Sequence, residues 1–499
     1  MHGAHRMLIG HTRGAFFSLP HALKALLLGL LMVWPWLSPW SPAPQPNTIP
    51  LLMGWACMGL LMVFGQQMSP LDIARAWAWA ALISCAMGLI QYFGAAALFA
   101  PWLHVPEQLG EANANLRQRN QLATLAGIGI LAVLWWRANG LKTPHALWML
   151  ALLAMGNAAT ASRTGLLHML LIAGLAVYWS YRSRFKAQRL SPPLAFWALA
   201  VYLLANLALP WLLSTFSGRD MVGALARMGD NEGCGSRRVL WGNVLHLIGQ
   251  KPWLGWGWDE LKYAHYITPY AEGPQDRFCD ILGNAHNLPL HLAVTLGIPI
   301  ASMLGLLVVL LLIWSQPWRS RLPRHQLAWS VLAVIGLHSL LEFPLWYSPF
   351  QMAVLLCGML FMPSVAGYKA AEFPMLRLIG CAVLLGVGLL AADYTRARQI
   401  YLPAKDRWTL WQQNPLAAAR GSWFFGRSAS FAELTLTPVT PQNAEWVLAT
   451  SLEMLHYSPE PKVVKPLIQS AQLLGRHDLA DWHRGRWGQA FPYELPPKP

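Results

Sequence analysis

The chain has 499 residues, 55% hydrophobic and only 12% charged, with 27 Trp and a mean hydropathy of +0.35. A soluble protein carries about 25% charged residues, so half that fraction excludes an ordinary water-soluble domain and argues for lipid as the solvent. The net charge of +15 does not report nucleic-acid binding, because most Lys and Arg fall in short loops between apolar runs, where they set orientation.

Runs of about 20 apolar residues cross the hydrocarbon of a bilayer. They recur here at 22–40, 47–67, 73–93, 120–136, 144–160, 164–181, 193–216, 287–314, 327–342, 347–363 and 376–395. The expectation is an all-α polytopic membrane protein with about 11 transmembrane helices. The first run lacks the layout of a cleaved signal peptide and is read as a span. Pro35 and Pro210 are compatible with spans, since neighbouring helices can satisfy the carbonyls they free.

Basic residues fall in alternate loops: Arg137 with Lys142; Arg182, Arg184, Lys186 and Arg189; Arg319, Arg321 and Arg324; Lys369 with Arg377. The positive-inside bias assigns all four loops to the cytoplasm. The N-terminus is then cytoplasmic and the C-terminus external. The outer face receives 94–119, the Thr160–Arg163 corner, the long loop 217–286, the Glu342–Ser348 corner and the tail. Two domains are expected, a transmembrane part over 1–397 and a helical tail over 398–499. In the tail, Asn443–His456, Pro461–Leu474 and Asp478–Ala490 have helical apolar spacing, with Gly475 as a stop.

The polar residues with chemical potential gather on that outer face. His286 ends the long loop, followed by Asn287 and an apolar run, and an imidazole there can accept the proton of a hydroxyl. The plainer reading is a histidine anchoring a helix end. Arg163 begins a span at its outer end, and Arg237 and Arg238 lie in the loop. Their planar forks suit phosphate oxygens, or else they anchor lipid headgroups. His338 and Glu342, four apart, either pair on one helix face or touch substrate. Trp253, Trp256, Trp258, Tyr263, Tyr266 and Tyr270 read mainly as an interfacial belt, with some available as flat faces for sugar rings. Cys57, Cys85, Cys357 and Cys381 fall within apolar spans, whereas Cys234 and Cys279 share the loop and can pair in an oxidising compartment. No P-loop or dinucleotide fingerprint is present, and the loop acids Asp230, Glu232, Asp259, Glu260, Asp276 and Asp280 lack metal-ligand spacing.

In this order the motifs resemble the O-antigen ligase and polymerase superfamily, most closely the PglL-type bacterial pilin O-oligosaccharyltransferases. His286-Asn287, nine residues, then Gly297-Ile298-Pro299-Ile300 is similar to the ligase pattern, departing from it at the last position. Arg163 to Leu167, Ser236-Arg237 with Trp241, and Pro252-Trp253-Leu254-Gly255-Trp256-Gly257 match further elements. The segments Arg117-Gln118-Arg119-Asn120-Gln121-Leu122-Ala123 and Glu342-Phe343-Pro344-Leu345-Trp346-Tyr347 resemble the protein-glycosylating branch. The resemblance implies inverting, metal-independent transfer of a glycan from an undecaprenyl-diphosphate carrier to a Ser or Thr hydroxyl of a periplasmic acceptor such as a pilin, in a bacterial inner membrane and without a cofactor. His286 would handle the acceptor proton, and Arg163 and Arg237, with Arg238, the diphosphate. Gln118, Asn287, His338, Glu342 and Tyr347 are weaker candidates for contact with acceptor or glycan. Two other readings stay open. One is an O-antigen ligase or polymerase with a sugar acceptor; the other is a transporter, which would show internal symmetry and midplane polar residues.

Overall fold

The structure, a computed structural model, describes residues 20–41, 45–65, 68–183, 188–217, 234–270, 277–362, 374–491 and 494. Arg184, Lys186, Asp230, Glu232, Asp276 and Lys369 lie outside the described residues. The described part is all-helical, without a strand.

Seven long helices come first: α1 (His21–Leu37), α2 (Thr48–Phe64), α3 (Pro70–Tyr92), α4 (Arg119–Ala138), α5 (Thr143–Ala159), α6 (Arg163–Arg182) and α7 (Pro192–Ser217). The long loop then forms α8 (Arg237–Gln250) and α9 (Leu261–Ile267), and four further apolar helices follow: α10 (Leu288–Leu296), α11 (Ile298–Ser315), α12 (Pro323–Ser339) and α13 (Ser348–Phe361). The last long helix, α14 (Pro374–Arg398), leads into α15 (Pro415–Arg420), α16 (Gly426–Leu436), α17 (Ala444–Tyr457), α18 (Pro461–Leu473) and α19 (His477–Ala490).

Among the described helices, α3, α4, α6, α7, Ile298–Arg319 and Pro374–Tyr401 are long and apolar enough to cross a membrane, and α1, α2 and α13 are shorter apolar helices. α11 has no buried residue, and Leu306 to Ile313 all stand exposed. An apolar helix bare on every side needs lipid or a protein partner to cover it, and its length and hydropathy suit lipid. α4 is the opposite case. It is packed among α3, α5, α6 and α12, and every residue from Gln121 to Trp135 is buried. Small residues permit this approach: a Cβ on Gly129 would overlap the Ala81 side chain of α3.

Two boundaries differ from the sequence reading. The run 287–314 is not one helix but two, broken at Gly297, whose φ of +87° suits a residue without a Cβ. The Pro252–Gly257 turn fills the break. Ile298 N–H donates to Pro252 O at 2.8 Å, Trp256 N–H to Val294 O at 2.9 Å and Gly257 N–H to Thr295 O at 3.0 Å. The loop thereby satisfies backbone groups that the break exposes. The run 327–342 ends early, at Ser339, so Glu342 lies in the turn past the helix rather than on it.

The tail has its own core, in which Val447, Met454, Val463, Leu467, Ile468 and Trp487 enclose Tyr266 of α9. Polar links hold it to the rest of the chain. His456 Nδ1 meets Glu260 Oε2 at 2.6 Å, Lys262 Nζ donates to Tyr457 O at 2.9 Å, and Tyr266 pairs with His483 Nδ1 at 2.8 Å. Gln45, before α2, donates to Ser428 Oγ at 3.2 Å and Tyr457 Oη at 3.0 Å.

Candidate active site

Four helix ends and one loop meet at Glu342. Asn120 belongs to the first turn of α4, Ser162 caps α6, Arg237 opens α8, His286 lies just before α10, and Glu342 follows α12. The carboxylate is buried and shared. Oε1 accepts from Arg237 Nη2 and, at 2.9 Å, from Asn120 Nδ2, while Oε2 faces His286 Nδ1 at 2.6 Å. Asn120 is fixed in turn by Ser162 Oγ, which donates to its Oδ1 at 2.6 Å. This brings the chain next to Arg163 within two hydrogen bonds of Glu342.

Burial acts to raise the Glu342 carboxyl, but the hydrogen bond from His286, the Arg237 guanidinium and the bond from Asn120 outweigh it and hold the group below its usual range. An ionised carboxylate only accepts, so His286 Nδ1 carries the hydrogen that it donates. In the neutral imidazole Nε2 is then the acceptor. A carboxylate that fixes the tautomer and orientation of an imidazole prepares it for proton removal.

The loop holds this histidine in an unusual backbone state. His286 has φ +50°, a region uncommon for residues other than glycine, and its N–H donates to Asn284 Oδ1 at 2.9 Å. Trp241 Nε1 of α8 donates to Ala285 O at 3.1 Å. Cys234 and Cys279 form a disulfide with Cα atoms 5.3 Å apart. It joins the stretch before Arg237 to the stretch before His286.

The remaining sequence candidates divide by role. Asn287 caps α10, accepting from Leu290 N–H at 3.0 Å, and its Nδ2 donates to Leu340 O at 2.9 Å. It is a clamp between α10 and the end of α12. Gln118 caps α4 by accepting from Gln121 N–H at 2.9 Å. His338 and Glu342 do not pair through their side chains: His338 is fully buried, its Nδ1 facing Thr124 Oγ1 at 2.8 Å, while Glu342 turns to Arg237 and His286. Tyr347 stacks on Phe343 at 5.8 Å, and Phe343 stands edge-on to His286 at 5.0 Å. Gln118, His338 and Tyr347 border a small cleft beside Glu342. Arg163 and Arg238 are exposed at the first turns of α6 and α8. Neither Asn120 nor Ser162 stands out in the sequence as a site residue, although Asn120 lies inside a motif segment and Ser162 just before one; only the fold brings Asn120 to Glu342, with Ser162 behind it.

The described residues thus define a helical membrane protein that joins a histidine, a carboxylate and an arginine at one end of its helices. Three family models match in chain order: "Protein glycosylation ligase" over residues 112–136, "O-Antigen ligase" over 148–304, and "Virulence factor membrane-bound polymerase, C-terminal" over 326–496. The chain is similar to the General O-oligosaccharyltransferase of Acinetobacter baylyi, 23% identical over 283 residues, covering 56% of this chain and 48% of that one. It is also similar to the ComP-specific O-oligosaccharyltransferase of the same organism, 25% identical over 303 residues, covering 58% and 53%. The chain thus spans about half the length of the curated relatives it matches. The resemblance to the O-antigen ligase superfamily and its protein-glycosylating members is shown by these matches. No solved structure matches the chain.

Proposed function

We propose that the chain is an O-oligosaccharyltransferase that moves a glycan from an undecaprenyl-diphosphate carrier to a Ser or Thr hydroxyl of a periplasmic protein such as a pilin. The observation that carries the reading is the His286–Glu342–Arg237 cluster. His286 Nε2 takes the hydroxyl proton as the acceptor oxygen attacks the anomeric carbon from the face opposite the leaving group. The anomeric C–O bond breaks, its electron pair departs with the diphosphate, and the configuration inverts. Arg163 and Arg237, with Arg238 nearby, offset the charge that develops on the diphosphate. Arg237 gives one donor to Glu342, and its guanidinium carries others for phosphate oxygens. In this reading neither a metal nor a cofactor takes part.

The same reading sets the chain in a bacterial inner membrane with eleven crossings, the N-terminus in the cytoplasm, and the 217–286 loop and tail in the periplasm. The parity of the basic loops supports it. A second reading, transfer to a sugar hydroxyl as in an O-antigen ligase or polymerase, is favoured by the matches over 148–304 and 326–496. Co-expression with a lipid-linked glycan pathway and a pilin, followed by intact mass of the pilin, separates the two. A glycan-sized gain supports protein glycosylation. An unmodified pilin alongside an extended or lipid-core-linked polysaccharide rejects it.

A further inference from the structure

A second cleft lies beside the one at Glu342. Its walls come from the end of α1 and the start of α2 (Ser38, Trp40, Asn47), the turn before α4 (Arg117, Gln121) and the corner before α13 (Trp346, Tyr347). It is a shallow cleft with about 530 Å³ of empty space, open solvent included. Gln121 and Tyr347 border both clefts, so the two adjoin. One lining group, Ser38 Oγ in a residue 9% exposed, is buried without a hydrogen-bond partner among the described residues. A buried polar group left unpaired is costly, so this hydroxyl marks where a ligand supplies the missing partner.

The aromatic walls indicate what that ligand is. Trp346 is held parallel to Trp258 at 6.2 Å, and Trp40 stands half-exposed, edge-on to Trp34 at 5.8 Å. Arg117 gives Nη2 to Pro39 O at 2.9 Å and has further donors. Indole faces beside isolated hydroxyl, amide and guanidinium groups suit a pyranose ring, which is apolar on its C–H faces and rimmed by hydroxyls.

We infer that this cleft is a sugar subsite, holding a pyranose of the transferred glycan next to Glu342 and His286. The inference rests on the transferase reading and adds to it the place where the donor glycan is recognised. Its test compares the full-length wild-type chain with Trp40→Ala and Trp40→Phe, measuring KM and kcat separately for lipid-linked glycan and acceptor. Removing one stacking face should raise the donor KM about 3- to 10-fold. kcat and acceptor KM should hold, and Phe should restore most of the loss. Saturation-transfer NMR gives a readout free of catalysis, using the oligosaccharide released from the carrier lipid by mild acid. Signal transfer should appear with wild type and weaken with Trp40→Ala in folded protein. An unchanged donor KM, or a rise in acceptor KM instead, overturns the sugar assignment. A wild type that transfers no glycan defeats the transferase reading; the NMR arm then decides alone, and no transfer of signal to the oligosaccharide overturns the subsite.

Discussion

At the scale of single residues, the account turns on what Glu342 does for its neighbours. Glu342→Gln keeps the shape but removes the charge, and its amide N–H₂ would confront either the Arg237 or the His286 donor. We expect transfer to fall about 100- to 10,000-fold, the range for loss of acid–base assistance. Donor binding should change far less, as measured with a lipid-diphosphate analogue. Arg237→Ala should weaken both capture of that analogue and turnover, and Arg237→Lys should recover only part, since a point charge lacks the two-pronged donor geometry. Equal recovery by Lys would remove the fork from the account. His286 and Arg237, which the fold brings to Glu342, stand out in the sequence because each lies in a short motif next to polar residues, as does the exposed Arg163. The use of Glu342 was not, because helical spacing pairs it with His338; the helix stops at Ser339 and turns it elsewhere.

At the scale of elements, two devices hold the loop to the site. The disulfide closes 45 residues of chain between Cys234 and Cys279. A loop of that length corresponds to about 4 kcal/mol of stabilisation in the chain-entropy picture. Cys234→Ser with Cys279→Ser should therefore lower the unfolding midpoint and reduce transfer, because Arg237 and His286 flank the link. An unchanged midpoint, with equal free-thiol counts before and after reduction, would show that the bond does not form. The other device is the break at Gly297. A Cβ there would overlap the Trp253 carbonyl and would sit at an unfavourable φ. Gly297→Ala should destabilise the 252–257 turn by at least about 1 kcal/mol, read as faster proteolysis of the loop. The sequence shows an unbroken apolar run at this point, since hydropathy carries no record of where a backbone turns.

For the whole molecule, the helical membrane character was legible from composition, whereas which helices are buried and which are bare was not. α4 and α11 are both apolar, yet one is buried along its length and the other is bare. Small residues in α4 distinguish them only after the partners are known. The tail adds a pH dependence. Burial, with the Arg277 charge second, lowers His265 to about 3, and burial, with Arg486 second, lowers His483 to about 4. Unfolded histidines titrate near about 6.5. Between those values the unfolded chain binds protons that the folded tail does not, so stability is full above about pH 6.5 and declines as pH falls. Lowering pH from 7 to 4.5 should loosen α9 and α17–α19, seen as lower amide protection factors there once the slower intrinsic exchange at acid pH is divided out. Protection that is flat over this range would contradict the burial of both imidazoles.

The central claim is that His286, oriented by Glu342, takes the proton of the acceptor hydroxyl. Intact mass of a pilin co-expressed with a lipid-linked glycan pathway and either wild type or His286→Ala, both confirmed folded in the membrane, tests it most directly. The account predicts a glycan-sized gain with wild type and none with His286→Ala. Near-normal glycosylation by His286→Ala would contradict it and leave this histidine as the anchor of a helix end.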